Sequence, residues 1–142
     1  KLMGRIIAID YGRKRVGLAV TDPGKIIANA LTTVHAKDIF AFLKDYVNKE
    51  EVDGFVIGDA RQMDNTASES AEFIEPFVKK LKKTFPQLPV ERMDERFTSK
   101  MALDAMIQGG TKKKDRQNKS KIDAISATII LQSYMEKPDR NF

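Results

Sequence analysis

The chain has 142 residues and a formal net charge of +5 at pH 7, a length that fits one domain with a substantial hydrophobic core. It contains no cysteine and one histidine, His35, which excludes disulfides and thiol catalysis and argues against a zinc site of the usual kind. We find no apolar run of about 18 residues and no signal-peptide pattern, so we expect a soluble, cytoplasmic protein that does not bind membranes.

The first predicted element is a β-hairpin within residues 4–22. Two runs of strand-forming residues flank a polar turn that contains glycine, and the first run ends at Asp10. Gly12 removes side-chain bulk, so a phosphate or a metal ion could approach the turn closely. Lys14 and Arg15 add positive charge beside it. These features suggest phosphate chemistry, although aspartate is also a common turn residue at the end of a strand.

Beyond the hairpin, the hydrophobic pattern alternates between strands and helices. Pro76 lies within one of the helical segments, where we expect a kink or a break because proline removes a backbone donor. A capping box at Ser120 is expected to begin the last helix. The predicted elements are, in order, a strand over 26–34, a helix over 38–48, a buried strand over 54–58, a helix over 67–83, a strand over 88–93 and helices over 98–108 and 121–136.

This order of elements predicts an α/β fold. The first three strands form an antiparallel meander, and the later strands, separated by helices, join through crossover connections. The expected result is a mixed five-stranded sheet, with three antiparallel strands followed by parallel ones and helices on its faces. We assign one domain to residues 3–138, with Lys1 and Leu2 preceding the expected initiator Met3 and residues 139–142 forming a tail.

Acidic residues occur at the ends of two predicted strands and at the start of the last helix. Asp10 and Glu95 follow strands, and Asp123 begins the helix. Ligands gather at the carboxyl ends of strands in such sheets, and three converging acids repel one another unless cations bind between them. Mg²⁺ or Mn²⁺ would suit these oxygen ligands and could activate water against a phosphodiester. Alternatively, Asp123 caps its helix, and Glu95 pairs with Arg92 or Arg96.

A strongly basic block precedes the last helix. We expect an exposed loop, because such a block cannot pack in a core. Although charge runs are often only solvated linkers, a cationic loop beside an acidic site favours nucleic acid. The block is opposed only by Asp115 and contains Lys112, Lys113, Lys114, Arg116, Lys119 and Lys121.

Three segments carry a family resemblance. DYGRKRVGLAVTD, DERFTS and KIDAISATIILQSY resemble the signature blocks of the YqgF/RuvX family, which has a ribonuclease H-like fold, and the likeness extends over nearly the whole chain. Members of this family are described as candidate Holliday junction resolvases and as nucleases that process the 5′ end of pre-16S rRNA. By position, the resemblance implies metal-binding acids at Asp10, Glu95 and Asp123, and a phosphate contact at Arg96.

The chain departs from the family pattern after the buried strand at 54–58. Where relatives usually have Gly-Leu-Pro, this chain has Gly58-Asp59-Ala60. Asp59 is either a fourth metal ligand or a local change without catalytic meaning, and we favour the second interpretation.

We therefore expect a metal-dependent nuclease that acts on structured RNA in ribosomal RNA maturation. Asp10, Glu95 and Asp123 would hold the metal, while Lys14, Arg15, Arg96 and the basic block would hold the backbone. One alternative is a resolvase that cuts four-way DNA as a two-fold dimer, so both a monomer and a homodimer stay open. A second is an RNA-binding assembly factor without turnover. An actin-like ATPase would need two such domains, and this chain has room for one.

Overall fold

The computed structural model describes residues 4–12, 14–59, 71–94 and 119–136, and at 59, 71–73, 94 and 119–123 only the backbone is described. The predicted helix over 98–108 and the predicted loop after residue 59 lie outside these ranges. Within the described residues, no helix is both long and apolar enough to cross a lipid bilayer.

A mixed five-stranded sheet forms the centre of the fold. Its strands lie in the order β3-β2-β1-β4-β5. β1 pairs with β2 and β2 with β3 in antiparallel fashion, whereas β1 is parallel to β4 and β4 to β5. The predicted mixed sheet is therefore confirmed. The strands are β1 (Arg5–Tyr11), β2 (Arg15–Thr21), β3 (Ala28–His35), β4 (Val52–Asp59) and β5 (Val90–Asp94).

Helices pack on both faces of this sheet. They are α1 (Ile39–Lys49), entered through a 3-10 turn at Ala36–Asp38, then α2 (Ala71–Thr84) and α3 (Lys119–Met135). Residues of β1 alternate between two cores, as the two-residue period of a strand requires. Ile7 and Ile9 join the core beneath α1 and α2, whereas Ile6 and Ala8 join the core beneath α3.

The third strand begins later than the sequence predicts. It starts at Ala28, because the carboxylate of Asp22 accepts hydrogen bonds from the backbone N–H groups of Ile26 and Ile27, both at 2.7 Å. These bonds hold the two residues in a turn instead of in the β-ladder. Ile26 and Ile27 are consequently 76% and 57% exposed.

Two further helix predictions differ from the structure at least in part. Of the kink or break predicted at Pro76, the break does not occur, because α2 continues through this residue. A proline removes one backbone donor, and the buried side chains of Ile74, Phe77 and Val78 hold the helix against the sheet on either side of it. α3 begins at Lys119, which places Ser120 inside the helix and not at its N-cap.

Candidate functional site

Asp10 lies near the carboxyl end of β1 and is half-buried. In the ladder with β2 it stands opposite Gly17. Ile6 and Ala8, which precede it at two-residue steps, belong to the core beneath α3. The alternation of β1 therefore assigns Asp10 to the face of the sheet that α3 covers, just beyond the apolar part of that face.

The three parallel strands end at a common edge. Ile9 of β1 pairs with Ile57 of β4, and Ile57 pairs in turn with Arg92 of β5. Gly58 of β4 and Met93 of β5 are therefore level with Asp10, and both strands end one residue later. The carboxyl ends of parallel strands are where ligands bind in open α/β sheets. Asp10 is thus at the edge of the sheet where chemistry is expected.

The turn that follows Asp10 is closed by a backbone contact. The N–H of Gly12 donates to the carbonyl of Arg15 at 2.9 Å, and a Cβ atom on Gly12 would lie 2.6 Å from the same oxygen. The glycine is therefore required by the hairpin's own backbone, a requirement that does not depend on the predicted approach of a ligand.

Two of the predicted cations belong to this hairpin. Lys14 is exposed, and its carbonyl accepts a hydrogen bond from the N–H of Ala36 at 2.9 Å, which ties the turn to the end of β3. Arg15 is half-buried and stands opposite His35 in the ladder. The hairpin therefore carries positive charge at the same edge of the sheet as Asp10.

Tyr11 anchors the end of β1 on the opposite face. Its ring stacks on Phe77 of α2, with ring centroids 4.1 Å apart and an interplanar angle of 16°. Burial raises the pKa of the Tyr11 hydroxyl, so this side chain stays neutral at physiological pH. Sequence reasoning did not single out Tyr11, although it continues the alternating series of Ile7 and Ile9. The stack restrains the backbone that carries Asp10.

The position of α3 brings its first turns toward this edge. Its last turn lies at the other end of the sheet, where Met135 and Gln132 line a groove with Ile27 and Ala28. A helix of 17 residues is about 25 Å long and a strand of seven is about 23 Å, so α3 spans the sheet from edge to edge. The backbone of Asp123 lies in the part of α3 nearer to Asp10.

The other predicted site residues divide into two groups. The side chains of Lys119, Lys121 and Asp123 are not described, although their backbones form the start of α3. Within the described part of the chain, no group of three or more potential ligand residues could hold a metal ion. The side chains of Glu95 and Asp123 are not described, so this finding does not test whether the three acids converge, and their convergence stays a prediction. The residues outside the described ranges are Glu95, Arg96, Lys112, Lys113, Lys114 and Arg116.

Comparisons with known proteins identify the family. A family model described as "RuvX: Holliday junction resolvase" matches residues 4–137. A protein of Bacteroides thetaiotaomicron named "Putative pre-16S rRNA nuclease" is 58% identical over 134 residues, which cover 94% of this chain and 97% of that protein. A Porphyromonas gingivalis protein of the same name is 53% identical over 138 residues, or 97% of this chain and 100% of that protein.

A solved structure is similar in fold. It is RuvC of T. thermophilus in complex with a Holliday junction substrate, with a TM-score of 0.54 and 18% sequence identity, and the match covers 94% of this chain and 96% of that one. The likeness agrees with the predicted ribonuclease H-like fold. With the family model and the relatives matched over almost their whole length, it follows that this chain belongs to the RuvX family.

Proposed function

We propose that this protein is a metal-dependent nuclease that hydrolyses phosphodiester bonds in structured RNA, with the 5′ region of precursor 16S rRNA as its substrate. Membership of the RuvX family supports a hydrolase that acts on nucleic acid. The choice of RNA is supported by relatives named for pre-16S rRNA, which match this chain over 97% and 100% of their own lengths.

The placement of Asp10 is the observation on which the catalytic proposal depends. This carboxylate stands at the carboxyl end of a central strand, half-buried, with apolar residues behind it and a cationic hairpin beside it. A carboxylate in such a position can bind a cation that is also accessible to a phosphate. An aspartate that served only as a turn residue would have no reason to lie on the side of the sheet that α3 covers.

The spacing of residues along β5 and along α3 supports Glu95 and Asp123 as partners of Asp10. Met93, near the end of β5, packs in the core beneath α3. Glu95 follows it by two residues, which is the period of a strand, so we expect Glu95 on the same side. Position 123 precedes the buried Ala127 by four residues, one helical turn. These carboxylates suit Mg²⁺ or Mn²⁺, since both metals prefer oxygen ligands. When bound, the metal would activate a water molecule and neutralise charge on the reacting phosphate.

The same reasoning argues against Asp59 as a further ligand. Ile57, two residues before it, packs in the core beneath α1 and α2. The strand period therefore assigns position 59, and position 94 paired with it, to the face opposite Asp10. We propose that Asp59 is a local change without a catalytic role.

Cationic residues would hold the substrate backbone against the acids. Lys14 and Arg15 lie in the hairpin that follows Asp10. Arg96 follows Glu95 in sequence, and the basic block from Lys112 to Lys121 ends within the first turn of α3. Each of these side chains that neutralises a phosphate releases counterions, so binding should weaken steeply as salt rises.

The test compares the wild-type protein with Asp10→Asn, using labelled precursor rRNA in Mg²⁺, Mn²⁺ or chelator. Loss of a residue that merely supports a metal ligand costs about 10–100-fold, so we expect loss of a direct ligand to reduce cleavage at least about 100-fold. Asp45→Asn, at an exposed position on α1, is the matched control and should cleave like the wild type. Equal cleavage by Asp10→Asn, or cleavage that persists in chelator, would contradict the proposal.

A second candidate function is the resolution of four-way DNA junctions, which is favoured by the description of the matching family model. The same acids would act on DNA, and paired cuts across a symmetric junction would require a two-fold dimer. A four-way junction included in the assay distinguishes the two functions. Binding of either substrate without any metal-dependent product would instead indicate an assembly factor.

A further inference from the structure

The outward face of α2 carries a dense group of lysines that the proposed active site does not include. Each of the four is exposed, whereas Ile74, Phe77, Val78 and Leu81 of the same helix are buried. The lysine face is therefore the side of α2 directed away from the sheet. Its members are Lys79, Lys80, Lys82 and Lys83.

Among the described residues, the four positive charges of this face exceed the negative charge beside them, which is that of Glu75. Other lysines of the fold form salt bridges, as in the Lys25–Asp53 and Lys49–Asp45 pairs. Within the part of the chain that the structure describes, the lysine face forms no salt bridge. Glu75, four residues before Lys79 on the same helix, already accepts a hydrogen bond from Arg92 at 3.0 Å. This bond, assisted by nearby lysines, holds the pKa of Glu75 below its usual value.

The helix dipole does not explain the whole group. Cations are favourable near the C-terminus of a helix, and this accounts for Lys82 and Lys83 in the last turn of α2. Lys79 and Lys80 lie before that turn. Like charges three or four residues apart repel one another on a helix, so the complete group lowers helix stability unless an anion binds to it.

The lysine face lies close to the edge that carries Asp10. Phe77 stacks on Tyr11, the residue after Asp10, and Lys80 follows Phe77 by three residues. The ammonium group of Lys80 is 4.6 Å from the centre of the Phe40 ring at the start of α1, which restrains it on that side of the helix. The lysines therefore continue from the candidate site along α2 toward the other end of the sheet.

We infer that the lysine face of α2 binds the phosphate backbone of the nucleic acid on which the site acts. The four lysines span about 6 Å of helix axis, and a duplex carries one negative charge per about 1.7 Å, so the two charge densities are similar. A protein partner fits less well, since lysine is depleted at protein interfaces. Leu81, the apolar residue between the four lysines, is buried, so it offers no apolar surface to a partner. The inference rests on the proposed function, because it assumes a nucleic-acid substrate.

The test measures binding of a labelled RNA hairpin from the 5′ region of precursor 16S rRNA at several salt concentrations, with chelator present to prevent cleavage. The variant is Lys79→Gln with Lys83→Gln, and the control is Lys44→Gln with Lys49→Gln on α1, where the lysines are also exposed. Both double variants remove two positive charges, so they change the net charge equally. Glutamine is a good helix former, and thermal unfolding checks that both variants fold.

We expect the α2 variant to lower the slope of log affinity against log salt by about 1.5, since each phosphate contact contributes about 0.7–0.9. Its affinity at about 0.1 M salt should fall at least tenfold, whereas the α1 control should stay within about twofold of the wild type. Lys79→Arg with Lys83→Arg should restore the slope, because arginine keeps the charge.

The outcomes separate this inference from the proposed function. If the α2 variant and the control bind with the same slope and affinity while the wild type cleaves RNA, the lysine face is not a binding surface and the nuclease proposal stands. If the slope falls as expected but no metal-dependent cleavage occurs, the surface is supported and the catalytic proposal is overturned. If the wild type does not bind the RNA, both are overturned.

Discussion

Burial distinguishes two ion pairs whose chemistry is otherwise similar. The Nζ atom of Lys25 lies 2.6 Å from a carboxylate oxygen of Asp53, and 11% of each side chain is exposed. The Nζ atom of Lys49 lies 3.1 Å from a carboxylate oxygen of Asp45, with 71% and 63% of the side chains exposed. Asp53 also accepts a hydrogen bond from the N–H of Gly4, so the inner pair connects β4, the start of β1 and the turn before β3.

Replacing Asp53 with asparagine would remove the negative charge that lies 2.6 Å from the nearly buried Lys25 ammonium. Removing one partner of a buried pair costs about 3–5 kcal/mol, and the small exposure of this pair places the expected loss near the lower end, at about 3 kcal/mol. An exposed pair four residues apart on a helix contributes about 0.3–0.5 kcal/mol, which is the expected cost of Asp45→Asn. For a domain of this size, the melting temperatures should fall by roughly 10 °C and 1 °C respectively.

Thermal and urea unfolding of the two variants, followed by circular dichroism, measure these costs. Adding Lys25→Met to Asp53→Asn should recover part of the lost stability, because the double variant no longer buries an ammonium beside a neutral amide. High salt should weaken the exposed pair more than the inner one. If Asp53→Asn costs no more than Asp45→Asn, burial does not determine the strength of these pairs and the reasoning is wrong.

Two further predictions concern turns. Gly12→Ala should destabilise the protein by about 1–3 kcal/mol in urea unfolding, because the new Cβ would lie 2.6 Å from a backbone oxygen. Gly24→Ala is the control and should cost less, because its Cβ would lie 3.1 Å from a side-chain oxygen. Backbone N–H groups, that of Ile27 first, hold the pKa of Asp22 below its usual value of 3.8. The stabilisation from this carboxylate is therefore complete above the unfolded-state pKa and is lost as the pH falls through the lower folded-state pKa. The stability difference between wild type and Asp22→Ala, measured by urea unfolding, should consequently shrink as the pH falls below about 4.

The sheet could be predicted because its information is local. Residues 6–9 and 16–21 are continuous strand-forming runs joined by a short polar turn, and residues 54–58 form an apolar run too short for a helix. The structure confirms a strand at each of these places, and it also confirms that β4 is parallel to β1. The parallel direction of the later strands followed from connection lengths, since a helix between strands imposes a crossover.

The errors arose where a side chain competes with the regular backbone pattern. Ile26 and Ile27 have strong strand propensity, but the Asp22 carboxylate binds their N–H groups and removes them from the ladder. Lys25 adopts a φ of 59°, which is rare outside glycine, and its charge is matched by Asp53 from a distant strand. Neither the local hydrogen bonds nor the long-range ion pair can be read from hydrophobic periodicity.

The candidate site was predictable only where a residue's position follows from its own strand. Asp10 follows its own strand directly, so the sequence determines both its edge and its face once the strand is recognised. Glu95 and Asp123 come from remote segments, and whether they meet Asp10 depends on how those segments pack. Their positions at a strand end and at the start of a helix suggested a shared site, and the family resemblance implied the same three residues. Tyr11 was missed because an aromatic residue in a strand is usually part of the core.

Side chains alternate between the two faces of the sheet along β1, and this alternation relates the proposed catalytic residue to the inferred binding surface. Asp10 shares its face with α3, whereas Tyr11 stacks against α2, whose outer side carries the lysine face. Asp10 and the inferred binding surface therefore lie on different sides of the sheet, and the hairpin forms the edge between them. A substrate that contacts both must cross this edge, where Lys14 is exposed. Changes on the two sides should consequently affect different steps: loss of the Asp10 carboxylate should reduce turnover, and loss of the α2 lysines should reduce affinity.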